Sequence, residues 1–498
     1  MFDFLKRKNR KSPFNFGVRS FSAAEMSRIL RPWTFDKGFD NQEIESQQRT
    51  IVARSREMYK NSAHMKRFVS LFETNVVGDG FKLKSTPYDG VAGQKDYKLD
   101  TSAARYFEDH FWKWANNPKW CDATGRKTLV EIDRMCVKNW ARDGEYFIII
   151  YRGQPNPYGI SLRVIRPDAC DSRYRATASN GNPVRGGVEL DANTMAPVAY
   201  YVQTTKEYSS VSTALGNMRR IPAFDPEKDQ AESMIHGYTQ EEEDQTRGIP
   251  LSHAILKKLK MLDELDIAEL VAAKDEACTV HSYESTNNNP ETFIDLTTAE
   301  GSAMANTYMQ EKEAGMSEIL PAGWTRKTNT PQHPNMQLVP FKATMLKDIA
   351  SGVNVEHANF SNDWAGVSYS SVRQGTLSER DMWMTMQDRY MGQCKTPVYL
   401  AWMRSFLANE VSGGFMIMKF WKFKEHYFRG RRWGWVDPMR DMRANEVARL
   451  HGWKSDTQIA EDFGGDFEDT VDQIKRDDEI KKGTSLEVKA DEKQTEAK

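Results

Sequence analysis

Asn354-Val355-Glu356-His357-Ala358-Asn359-Phe360-Ser361-Asn362-Asp363-Trp364-Ala365-Gly366-Val367-Ser368-Tyr369-Ser370-Ser371 is the stretch around which the chain is organised. It is rich in Asn, Ser, Gly and Asp, which bond their own backbone or tolerate unusual dihedrals and so favour turns. A short helical run, Phe341–Gly352, precedes it. After it, Trp383, Met386, Tyr390, Cys394, Val398 and Trp402 recur at three- and four-residue steps, one face of a long helix. Pro397 lies within that run and is expected to kink it. Two helices flanking a polar, turn-prone loop are suited to displaying the loop in a cleft or channel.

Upstream, residues 1–42 carry Lys6, Arg7, Lys8, Arg10 and Lys11 among polar residues and read as a basic, flexible arm. From Glu43 to Val77 a helix is expected, its apolar face built from Ile51, Met58, Met65, Phe68, Val69 and Phe72. Gly78 and Gly80 permit the left-handed turn that ends it. Further helices are expected over Ala103–Asn116 and Leu129–Arg142. The run Tyr146-Phe147-Ile148-Ile149-Ile150-Tyr151 has the pattern of a buried strand, and short strands follow at 160–166, 186–190 and 197–203. Residues 43–240 therefore read as α+β. Glu241-Glu242-Glu243-Asp244 lacks the ligand spacing of a calcium loop and reads as solvated. Pro250 stands where proline favours a helix start, and a helix of roughly 45 Å to about Thr279 is expected. Residues 284–340 are Asn-, Thr- and Pro-rich and read as a loop-rich module.

Downstream, Phe415 to Trp435 alternates aromatics with Lys419, Lys422, Lys424, Arg429, Arg431 and Arg432. That alternation suits a half-buried hairpin, the expected state, and equally a stacking platform for single-stranded nucleic acid. Asp437-Pro438 opens a helix to about Leu450, a smaller helix precedes Gly464-Gly465, and from Asp477 the charged tail reads as disordered.

The chain has 498 residues, enough for two to four domains, and its 69 basic and 70 acidic residues leave a net charge of −1. No global electrostatic grip on nucleic acid follows from that balance, because such affinity comes from neutralising phosphates. The five cysteines are scattered without a CxxC pair, which argues against a zinc site and for a reducing compartment. No apolar run approaches the roughly 20 residues of a membrane helix, and the N-terminal residues show no signal-peptide core. A soluble chain made in the cytoplasm is expected. No P-loop and no HExxH is present. Gly366-Val367-Ser368-Tyr369-Ser370 approaches the GxSxG nucleophile elbow but lacks its last glycine and follows no strand. His236 reads as a structural residue at an element boundary. The residues thus point to a large α+β protein that is not an enzyme, with no catalytic or metal-ligating residues and no cofactor.

Several motifs, in order, resemble the lambda-like portal proteins of tailed bacteriophages. Ser368-Tyr369-Ser370-Ser371-Val372-Arg373 resembles the signature that opens that family's long helix, with Ser368 where Asn is usual. Val76-Val77-Gly78-Asp79-Gly80, Trp112-Lys113-Trp114, Cys121-Asp122-Ala123-Thr124-Gly125 and Asp143-Gly144-Glu145 resemble earlier blocks. Arg219-Arg220-Ile221-Pro222-Ala223, Met234-Ile235-His236, Thr246-Arg247-Gly248-Ile249-Pro250, Leu320-Pro321-Ala322-Gly323, Val436-Asp437-Pro438 and Gly452-Trp453-Lys454-Ser455 continue the set over about 43 to 480.

The resemblance implies a portal fold with α/β wing, helical stem, small α/β clip and helical crown, assembled as a homo-oligomeric ring of about twelve subunits. Such a ring, at one capsid vertex, admits double-stranded DNA under the terminase and later releases it. Its implied partners are the terminase large subunit, major capsid and scaffold proteins, a head-completion adaptor and the DNA, with no membrane. Its implied place is the virion, and the host cytoplasm during assembly. By order along the chain, 43–240 is the wing, 241–283 the first stem helix region, 284–338 the clip and 339–354 the second stem helix. Residues 355–371 become the tunnel loop, 372–411 the long helix, 412–476 the C-terminal wing and crown, and 477–498 the tail. Within the loop His357, Asn359, Ser361 and Asn362 are the expected DNA-facing residues, and Tyr369, Ser370, Ser371 and Arg373 carry the family motif.

Overall fold

A computed structural model describes residues 40–90, 97–203, 218–228, 230–277, 281–285, 324–328, 337–409, 417–434 and 437–482. The basic arm lies outside this set, as do most of the clip module and the last 16 residues. The expected first helix is two helices, α1 (Asp40–Asn61) and α2 (Ala63–Val76), broken at Ser62. Strand β1 (Lys82–Ser85), helix α3 (Thr101–Ala115) and helix α4 (Leu129–Asp143) follow. A capping box, Thr128 with Glu131, starts α4, and Gly144 ends it at φ 91°. A Cβ on Gly144 would stand 2.1 Å from the Ile249 carbonyl carbon, so this turn admits only glycine.

Gly144 feeds β2 (Glu145–Arg152), the central strand of an antiparallel sheet with β3 (Ile160–Ile165) on one side and β4 (Glu232–Tyr238) on the other. Its apolar run is uninterrupted because both faces are covered. Tyr146, Ile148 and Ile150 join the main core, whereas Phe147 and Ile149 join a second core with Tyr200, Val202 and Ile221. That second core lies under a five-stranded sheet ordered Met218–Pro222, Pro197–Gln203, Val188–Leu190, Pro183–Arg185, Ala176–Thr177.

At the start of β2, Glu145 is buried among donors. Arg247 reaches it through Nη2 at 2.5 Å and Nε at 3.0 Å, His236 through Nε2 at 3.0 Å, and Gln48 through Nε2 at 3.1 Å. The Gly248 N–H adds a fifth bond at 3.1 Å. His236 is thus the structural residue expected, stacked on Phe147 with ring centroids 4.1 Å apart.

Helix α5 (Leu256–Ala277) begins later than expected: residues 251–255 form turns after Pro250, and the 22-residue helix is about 33 Å long. It runs antiparallel to α6 (Leu338–Gly352), as shown by the ion pairs Lys258–Asp348 and Lys342–Asp266, the latter at 2.6 Å. Strands His281–Ser285 and Trp324–Thr328 pair antiparallel beyond α5.

The long helix expected over 372–411 is α7 (Tyr369–Tyr390) and α8 (Thr396–Ala408), joined by a π-turn at Met391–Lys395. Pro397 stands in the first turn of α8, where its missing N–H leaves no acceptor orphaned by a regular α ladder. The predicted face is correct. Trp383, Tyr390, Cys394, Val398 and Trp402 are buried, with Met386 packed against them. Among the described residues of 415–435 there is no hairpin. Phe420–Phe423 is one helical turn, and β5 (His426–Arg429) pairs antiparallel with β1, more than 300 residues earlier. Helices Pro438–Leu450 and Asp456–Asp462 match expectation, but the C-terminal helix Phe467–Lys481 extends into what reads as tail. Asp466 caps it, accepting from the Glu468 and Asp469 N–H groups, so a solvated charged segment still forms helix.

Candidate functional site, the loop between α6 and α7

After α6 the chain turns at Val353 and Asn354, the latter at φ 54°, and Val355 N–H returns to the Ala350 carbonyl at 3.1 Å. Val353 and Val355 are buried. The loop then departs from expectation, because His357–Ser361 is a helical turn ended by Asn362 at φ 58°. Ala358 and Phe360 bury its inner side, and Phe360 stacks on His64 of α2 with centroids 5.7 Å apart. Arg67 Nε donates to the Asn359 carbonyl at 3.1 Å.

Glu379 of α7 fastens this turn from the other side. Its carboxylate accepts from the Asn359 amide at 2.6 Å, the Glu356 N–H at 3.3 Å and the Trp383 indole at 3.0 Å. It is buried, and these three partners are neutral donors. Gly375 lets α7 pass this close, since a Cβ there would stand 2.5 Å from Glu356 Oε2.

The expected DNA-facing residues therefore differ in availability. The Asn359 amide is committed to Glu379, and Ser361 Oγ donates to the His357 carbonyl at 2.7 Å. His357 is part-buried with Nε2 lacking an acceptor; burial, with Lys347 nearby, lowers its pKa below the ordinary value, so it is neutral at pH 7. Asn362 is exposed, and so is everything from Asp363 to Ser371. Trp364, at 48% exposure, and Tyr369, at 59%, are the large side chains of that arc.

The motif residues act at the start of α7. Ser368 is its N-cap, its Oγ accepting from the Ser371 N–H at 3.2 Å and sharing a 2.7 Å bond with Ser371 Oγ. That is a capping role, not a nucleophile beside a base. Arg373 pairs with Asp441 at 3.3 Å and Asp437 at 3.7 Å, tying the loop-to-helix junction to the C-terminal helix Pro438–Leu450. Tyr369 and Ser370 line the same cleft as Arg373. Sequence reasoning missed Glu379 and Gly375, whose partners are some 20 residues away in a loop of no fixed period; a carboxylate on the buried face of α7 was the available signal.

The basic–aromatic stretch splits into two sets, with Trp421 and Tyr427 exposed and three phenylalanines turned inward. Phe420, Phe423 and Phe428 are buried in the main core. Lys422 pairs with Asp89 and Asp100, and Arg429 with Glu461 and Asp466. Among the described residues no cluster of His, Cys, Asp and Glu is arranged to hold a metal, and no helix is long and apolar enough to cross a membrane.

A family profile described as "Phage portal protein, lambda family" matches residues 26–387. The "Probable portal protein" of Halomonas phage phiHAP-1 is 29% identical over 473 residues, covering 92% of this chain and 86% of the relative. Portal protein B of Escherichia phage lambda is 22% identical over 386 residues, 72% of this chain and 69% of that protein. Among solved structures, a chain from the neck of a native gene transfer agent particle computed with C12 symmetry aligns at TM-score 0.44 and 12% identity, covering 84% of this chain and 93% of that one. With the loop between its two helices and an α+β region ahead of it in the order the motifs require, the chain belongs to the lambda family of phage portal proteins, structural proteins of the head-to-tail connector and not enzymes.

Proposed function

We propose that about twelve copies of this chain close into a ring at one capsid vertex, and that double-stranded DNA enters and leaves through its centre. In this reading the terminase large subunit docks on the clip, residues 284–338. The major capsid and scaffold proteins surround the wing, residues 43–240, and a head-completion adaptor follows after filling. Helices α5 and α6 are the stem, and residues 355–371 the tunnel loop. The ring is assembled in the host cytoplasm and resides in the virion.

The observation that carries the ring is the outer end of the stem. Ile267, Leu270 and Val271 on α5 and Val339 and Phe341 on α6 are all more than half exposed. Large apolar side chains left exposed on two neighbouring helices suit a covering partner. Native mass measurement on the purified chain should give roughly 690 kDa, against 57.2 kDa for one copy, with a central hole in negative stain. A stable single copy at micromolar concentration would overturn the ring.

The near-neutral net charge and the cation-poor loop suit a channel along which DNA must slide, since each neutralised phosphate adds affinity and hence drag. The exposed arc 362–368 is the part available to touch DNA, whereas 356–361 is needed for packing. Replacing Trp364-Ala365-Gly366-Val367 by four glycines should leave ring assembly intact and reduce DNA filling at least tenfold in a packaging assay. Normal filling would remove the loop from the mechanism.

A further inference from the structure

Five cations line a cavity of about 590 Å³ between the end of α2, α4 and the segment following β5, and among the described residues four of them, Lys82, Arg134, Arg431 and Arg432, form no ion pair. Lys82 Nζ donates to the Gly464 carbonyl at 2.9 Å, and Arg134 to the Gly78 carbonyl at 2.6 and 3.2 Å. Arg431 Nη1 donates to the Thr74 carbonyl at 2.5 Å, and Arg432 Nη1 to the Gln387 side-chain oxygen at 3.4 Å. Each of these acceptors is neutral: it orients the cation without cancelling its charge. An arginine has five N–H donors and a lysine three, so most of their hydrogen-bonding capacity is unspent.

Arg429 lines the same wall and is neutralised by Glu461 and Asp466, yet its Nε is buried with no acceptor. Two carboxylates, Glu73 and Asp79, also line the cavity, and among the described residues neither forms an ion pair with the cations. The wall therefore carries surplus positive charge.

The donors approach from three separate pieces of chain: the strand start at Lys82, helix α4 at Arg134, and the turn at Arg431 and Arg432. Convergence from several directions suits an oxyanion with three or four oxygens better than a planar carboxylate with two, and guanidinium forks match phosphate. The cavity is also much larger than one phosphate. We propose that it binds phosphate oxyanions, taken either from a free di- or polyphosphate or from adjacent phosphates of a nucleic-acid strand. The proposal rests on the cavity alone and is independent of the ring and of the tunnel loop.

The test is calorimetric titration of the full chain with pyrophosphate at fixed ionic strength. Saturable binding is expected, retained by Arg443→Gln on the exposed face of the C-terminal helix and weakened at least tenfold by Arg134→Gln with Arg431→Gln. Should that double variant unfold, Lys82→Gln, at the exposed rim, should still weaken binding threefold or more. Displacement of pyrophosphate by a short DNA duplex would identify backbone phosphate as the source; no displacement would identify a free phosphate compound. Absence of saturable binding, equal binding by all variants, or displacement by oligoglutamate as effective as by pyrophosphate itself would overturn the proposal.

Discussion

Glu145 shows what a single buried charge does in this α+β region. Burial by itself raises its carboxyl, but Arg247 beside it, together with His236, outweighs burial and holds the pKa at about 2. An unfolded Glu titrates near 4.3, so between these values the unfolded chain binds more protons than the folded one. Stability present above roughly pH 5 is therefore lost as pH falls towards 2. His236 acts in the same direction: burial lowers its pKa, so an unfolded His, titrating near 6.5, takes up a proton that the folded one refuses. Arg247→Met should cost about 3–5 kcal/mol in urea unfolding, because it leaves a buried carboxylate without its cation. It should also flatten the acid limb of the stability profile. A loss under 1 kcal/mol would mean that water reaches Glu145. The sequence identified His236 as structural but not its partner, because Glu145, Arg247 and Gln48 meet only once β2 and β4 have paired.

At the scale of elements, the π-turn between α7 and α8 is where the chain departs from a regular pattern for a physical reason. Lys395 ends that turn with its ammonium 2.8 Å from Asp133 of α4, both 1% exposed, and Tyr390 donates to the same carboxylate at 2.9 Å. The apolar spacing of residues 383–402 was readable because burial of one face dictates it. A lysine pointing into that face was not, since its acceptor lies some 260 residues earlier. The same limit explains β5. Alternation marked 426–429 as strand-like, but its partner is β1 and not a neighbouring hairpin arm. Lys395→Met should destabilise by about 3–5 kcal/mol, leaving Asp133 buried and unpaired, and Lys395→Met with Asp133→Leu should recover most of that loss. Additive losses in the double variant, followed by urea unfolding, would show that the pair acts through separate contacts.

For the whole molecule, the proposed ring needs a surface that joins its copies, and one copy offers the exposed end of the α5–α6 hairpin. The inner halves of α5 and α6 bury Leu259, Leu262, Leu346 and Ile349 against the main core, so this part of the hairpin is a folding element. Further out the same two helices leave Leu270 at 64%, Ile267 at 61% and Phe341 at 54% exposure, so among the described residues a charge placed there stands outside the buried core. Fully burying a side chain of this size is worth about 1.5–3 kcal/mol, and in a closed ring the gain recurs at every subunit boundary. Leu270→Glu should therefore leave the unfolding free energy of an isolated subunit, read from urea unfolding, within about 0.5 kcal/mol of wild type, as for other exposed positions. It should nevertheless move the native mass from the ring to 57.2 kDa at micromolar concentration. The paired readout separates the explanations. Mass and stability falling together would place Leu270 within the subunit's own fold, and an unchanged ring would move the contact to the exposed Met439 and Leu450 of helix Pro438–Leu450 and Trp453 in the turn after it.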